Sequence, residues 1–115
     1  MPIIFKPGDR MLLVLPSDKK DPAPRKFYFS APSGAEAMDL ADVNDGIKRD
    51  ATRITGREAM QRIWDALNSR CLGWEHPTVP HEAGKSLAVV VTFAEAQYLL
   101  ANIIGGGLQD ADQGN

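Results

Sequence analysis

Thr55-Gly-Arg-Glu-Ala-Met-Gln-Arg-Ile-Trp-Asp-Ala-Leu-Asn-Ser-Arg-Cys-Leu-Gly73 is the stretch whose periodicity decides the fold. Met60, Ile63, Trp64, Leu67 and Cys71 fall at i, i+3, i+4, i+7 and i+11, a continuous apolar stripe of helical period. Arg57, Gln61, Arg62, Asp65 and Ser69 lie mostly on the other side. Thr55 and Glu58 make an S/T-x-x-E capping box, in which the hydroxyl accepts the N3 amide and the carboxylate reaches back to the N-cap amide. Gly73 suits the left-handed C′ position that ends a helix. The same opening device recurs at Ser33-Gly-Ala-Glu36 and Thr92-Phe-Ala-Glu95. Each match stands just ahead of a helix-period pattern, so the sequence predicts three helices.

The first helix is predicted over 34–43, with Ala35, Met38 and Ala41 inward and an end near Asn44-Asp45-Gly46. The charged segment 46–54 either extends it or forms a loop. The third helix is predicted over 93–104. Phe93, Ala96, Leu99, Leu100, Ile103 and Ile104 cover a face of roughly 140°, wider than a lightly docked surface helix needs. Such a helix is either central to the core or covered by a partner. Pro77, Pro80 and Gly84 punctuate 74–86 as a loop. Leu87–Val91 reads as a strand or as a buried apolar lead-in. Ahead of residue 31 the pattern is β. Met11–Leu15 is an apolar run between Pro7-Gly8 and Pro16, too short for a helix, and Lys26–Ser30 is aromatic-rich. The two predict an antiparallel pair joined by the charged, Pro-rich loop 16–25, with Ile3–Phe5 as a further edge strand. The fold class expected is therefore α+β: a small amino-terminal antiparallel sheet (1–30) followed by three helices (33–104), one domain over 1–104 and a flexible polar tail over 105–115.

Composition narrows the function. The 115 residues fit one domain, and a hydrophobic content of 43% supports a core. A net charge of -2 argues against a dedicated nucleic-acid binder. The single Cys forms no intrachain disulfide. No apolar run approaches the roughly 18 residues of a membrane span, and the N-terminus lacks the pattern of a signal peptide. The expectation is a cytoplasmic protein without membrane or nucleic-acid partners.

Residues with chemical potential each have a plainer explanation. Cys71, His76 and His81 are spaced C-x4-H-x4-H, near the end of a zinc-knuckle pattern, but Asn68 occupies the position of its first Cys and three ligands fall short of a structural zinc set. Cys71 also belongs to the helical stripe, where a thiol packs as a small hydrophobe. Glu36, Asp39, Asp42, Asp45 and Asp50 form an acidic stretch, but Lys48, Arg49 and Arg53 follow, which reads as a solvated face with local ion pairs. Lys19, Lys20, Arg25 and Lys26 beside Phe27, Tyr28 and Phe29 resemble a single-strand-binding mixture that Asp18 and Asp21 dilute. Gly105–Gly107 follow a helix, the wrong place for a phosphate loop. No catalytic residue, cofactor or metal is expected, with a small metal or thiol site at Cys71, His76 and His81 as the alternative. Partner-binding candidates are Trp74, Phe93, Tyr98 and Leu100. Trp74 and Tyr98 lie off the helical stripes and are the better placed to face a partner; Leu99 and Leu100 fit the core better.

Trp64-Asp-Ala-Leu-Asn-Ser-Arg-Cys-Leu-Gly-Trp74-Glu, the Pro-rich loop after it, and Leu87 through Thr92-Phe-Ala-Glu-Ala-Gln-Tyr-Leu-Leu-Ala-Asn-Ile-Ile104 resemble tail assembly chaperones of siphophages and related prophages. The resemblance covers about residues 55–104. It implies a non-enzymatic protein of the bacterial cytoplasm that coats the tape-measure protein before the tail tube assembles, with possible self-association. It also implies that a longer, frameshifted form branches near the tail 105–115. A neck, connector or tail-completion component is the alternative within phage assembly.

Overall fold

The computed structural model describes residues 5–105. Alternating burial over Arg10–Leu13 defines β1, and the aromatic run Lys26–Ser30 defines β2. They pair antiparallel, Met11 opposite Phe29 and Leu13 opposite Phe27. Alternate residues of a pleated strand share a face, so these four side chains enter the core together, and all are buried. Arg10, Leu12 and Tyr28 stand on the outer face, where the Arg10 guanidinium lies 3.8 Å above the Tyr28 ring centre. Phe5 lies outside any strand, and the rest of the anticipated edge strand at Ile3–Phe5 falls outside the described residues.

The sheet's third strand comes from the end of the second helix. Helix α1 spans Gly34–Arg49 and α2 spans Gly56–Arg70. The chain then passes without a turn into β3, Cys71–Glu75, antiparallel to β2, giving the order β1-β2-β3. This corrects two expectations. Cys71 is the C-cap of α2, already extended at φ -72°, ψ 124°, so it does not prolong the helical stripe. Gly73 has φ +151°, but it sits in the strand opposite Tyr28 and is not a helix C′ residue. Pairing to β2 overrides the helical period at this point, because a strand added to a half-buried sheet satisfies its backbone groups. The bulge between Tyr28 and Phe29 accommodates the irregular register.

Helix α1 is longer than its capping signals predict, and its inner face is different. Leu40, Val43 and Ile47 pack on the core at i, i+3 and i+7, whereas Ala35 and Met38 are exposed. Gly46 lies buried inside the helix, where a Cβ would stand 3.3 Å from the Arg49 guanidinium, so Asn44-Asp45-Gly46 is no terminus. Helix α3, Phe93–Ile104, is the central helix, with Ala96, Leu99, Leu100, Asn102 and Ile103 buried. Leu87–Val91 is the buried lead-in to it: Leu87–Val89 form a 3-10 turn, and Leu87, Val90 and Val91 reach the core. Ser33 and Thr92 make complete capping boxes, while at Thr55 only the hydroxyl half is present. One buried cluster draws on β1, β2, β3 and all three helices, so the architecture is α+β, a three-stranded antiparallel sheet with three helices.

Candidate functional site

Two side-chain junctions fix the helices on which a site would be built. Arg25 ends the loop after β1. Its Nε donates to Asp18 at 2.7 Å and its Nη2 to Glu95 at 2.6 Å. Its Nη1 also donates to the Val90 carbonyl at 2.8 Å. Glu95 is at the same time the N3 residue of the α3 capping box, accepting the Thr92 amide at 2.8 Å. The guanidinium holds both carboxyls below the usual carboxylate range, and the two carboxylates raise the guanidinium further above its ordinary value. Of the basic residues around this loop, Arg25 is thus committed to anchoring the loop to the start of α3. Arg70, at the end of α2, is the second junction. It donates to the Ser30 and Ala31 carbonyls at 2.9 and 3.2 Å and to Glu36 at 3.1 Å, joining α2 to the exit of β2 and the first turn of α1.

With those ends fixed, the three helices leave a groove of about 390 Å³ between them. Ile47 contributes from α1, Met60 and Ile63 from α2, and Phe93 from α3, with Lys48 and Gln97 at its margins. Met60 also borders a second recess of about 450 Å³, which Arg57 and Trp64 line. Trp64 meets Phe93 edge to face with ring centres 6.3 Å apart, so the two recesses form one apolar surface with Met60 on the ridge between them. Met60 is 40% exposed although it belongs to the apolar stripe of α2. Sequence periodicity treats it as a core residue. The extension of α1 to Ile47, which builds the opposite wall, has no cap or breaker to announce it.

The anticipated partner residues divide. Phe93 is half-buried and lines the groove. Tyr98 is half-buried and packs against the core cluster. Leu100 is fully buried, as its place on the stripe of α3 requires. Trp74 is 5% exposed, its indole N–H donating to the Val79 carbonyl at 3.0 Å and its ring in edge contact with His81. Trp74 and Leu100 thus present no surface that a partner could reach without opening the core. The β3 strand places Trp74 opposite Phe27, a pairing that a helix-then-loop reading of 60–86 does not contain.

His76 and His81 serve the loop that follows β3, and Cys71 opens that strand. The His76 Nδ1 accepts the Thr78 and Val79 amides, each at 3.0 Å. The His81 ring packs on Trp74 and over Gly73. The Cys71 thiol lies 3.8 Å from the Gly73 carbonyl, and burial pushes its pKa up, which disfavours the thiolate that nucleophile or ligand would need. Among the described residues no group of three His, Cys, Asp or Glu converges on a point where a metal ion could sit. The acidic stretch of α1 is interleaved with cations: Arg49 faces Asp42 and Asp50 at 3.9 Å, and Arg62 of α2 reaches Asp50 at 3.3 Å. Gly106 and Gly107 lie outside the described residues.

These features define a class, an α+β fold with an apolar groove among its three helices, with no helix among the described residues long and apolar enough to cross a membrane. Comparison of the chain with models of protein families, with curated proteins and with solved structures finds no match.

Proposed function

We propose that this chain is a non-enzymatic binding protein that receives an apolar helical segment in the Ile47–Met60–Phe93 groove. Its particular role in this reading is that of a phage or prophage tail assembly chaperone, acting on the tape-measure protein in the bacterial cytoplasm. The observation that carries the binding reading is Met60, a large apolar residue left 40% exposed between two recesses lined by Ile47, Trp64 and Phe93. A helix docks in such a groove through anchors at i, i+3 or i+4 and i+7. Weak contacts of this kind repeated along a long client add by avidity, and no catalytic group is needed. The resemblance over residues 55–104 is what supports the tape-measure protein as the client in this reading. The test is co-expression with the proposed client, the tape-measure protein of the phage or prophage that carries this chain. Wild type is expected to co-purify with it and Met60→Asp is not. A wild-type protein that elutes alone would remove the reading.

A further inference from the structure

The groove carries an electrostatic signature besides its apolar floor. The charged side chains lining its two recesses are Lys48, on the last turn of α1, and Arg57, on the first turn of α2. No Asp or Glu lines either one, in a chain whose net charge is -2. Arg49, Arg62 and Arg70 are each ion-paired to a carboxylate. Lys48 and Arg57, in contrast, have no ion-pair partner among the described residues. Arg57 moreover stands in the first turn of α2, where the helix dipole favours an anion, while Glu58 of that turn lines neither recess.

We propose that the groove selects an amphipathic helix of another polypeptide whose apolar face is flanked by carboxylates, the apolar anchors seating around Met60 and the carboxylates facing Lys48 and Arg57. This rests on the docking reading above and adds the chemistry of the partner to it. Two unpaired cations at the rim of an apolar groove steer and register an acidic helix and disfavour a basic one, the usual effect of complementary rim charges. The overall negative charge does not reverse this, since screening at physiological salt confines each charge to within about 8 Å.

The probes are two labelled peptides of about 18 residues with the same Leu-rich face, one with Glu and the other with Lys on its flanks, titrated by fluorescence anisotropy. The Glu peptide is expected to bind about tenfold more tightly, with the ratio falling as salt rises. Lys48→Glu with Arg57→Glu is expected to reverse the preference. Met60→Asp, checked for fold by circular dichroism, is expected to abolish binding of both peptides. Equal binding of the two peptides by wild type, or a preference for Lys, overturns the charge selection but leaves docking in place if Met60→Asp still abolishes it. Binding of neither peptide overturns docking itself.

Discussion

Arg25 reaches Glu95, 70 positions further along the sequence, while also holding Asp18 and the Val90 carbonyl. With its side chain and both acids well shielded, removal of the cation leaves two carboxylates facing each other near the start of α3. Arg25→Met is therefore expected to cost about 2–4 kcal/mol, read as a lower urea midpoint at unchanged slope. The same junction sets the acid limb of stability. Asp18 and Glu95 titrate lower when folded than when unfolded, so the unfolded chain binds the extra protons as pH falls. Their contribution is complete above the ordinary carboxylate range, about pH 5. It is lost as pH falls through the lowered folded values. A stability profile in Arg25→Met is expected to be flatter below about pH 5 than in wild type; parallel profiles would remove Arg25 as the cause. Asn102 makes a different case. It is buried, its Nδ2 donates to the Tyr98 carbonyl at 2.9 Å, and its Oδ1 has no hydrogen-bond partner among the described residues. An unsatisfied acceptor costs about 1–3 kcal/mol, comparable to what the hydrogen bond returns. Asn102→Leu is thus expected to leave the thermal midpoint unchanged or raise it, and a loss of more than about 2 kcal/mol would show that the amide has a partner after all.

At the scale of the elements, the caps were legible and the β3 strand was not. Ser33, Thr55 and Thr92 each accept the amide three residues on, because capping is local chemistry written within four residues. The antiparallel pairing of β1 and β2 was also readable, from two short strand-like runs bounded by breakers. The strand Cys71–Glu75 depends on β2, more than 40 positions upstream, and no window of ten residues around Gly73 contains that partner. The same holds for Ile47: its inward direction follows from α1 packing on the core, while the local signal at Asn44-Asp45-Gly46 says stop. The groove was therefore legible at one wall, Phe93, and illegible at the other. Caps also yield an ordering. Thr92→Ala removes half of a complete box whose Glu95 also binds Arg25, and is expected to cost about 1–2 kcal/mol. Thr55→Ala, where the reciprocal half is missing, is expected to cost less, about 0.5–1 kcal/mol. Thermal denaturation of the two variants side by side reads the order.

For the molecule as a whole, the broad apolar face of α3 has an internal explanation. Ala96, Leu99, Leu100 and Ile103 are buried in the core cluster with residues of the sheet, α1, α2 and the lead-in Leu87–Val91, so most of the wide stripe is consumed by the core and Phe93, half-buried, is left to line the groove. An accessible apolar area lies on α2, where Met60 and Trp64 stand near Phe93. Met38 gives the matching control, since it is 73% exposed on α1 but nine residues from Ile47, about half a turn to the opposite side of the helix. Trp64 is a natural reporter of anything that settles over the ridge, because it is half-buried there while Trp74 is buried within β3 against the loop that follows it.

The most direct measurement is calorimetric titration of the proposed client, a tape-measure protein, into wild type, Met60→Asp and Met38→Asp. Saturable binding by wild type and Met38→Asp, with loss of at least tenfold in affinity for Met60→Asp, about 1.4 kcal/mol, is the result predicted by a client helix seated among α1, α2 and α3. Unchanged affinity in Met60→Asp, or loss in Met38→Asp in its place, would contradict it.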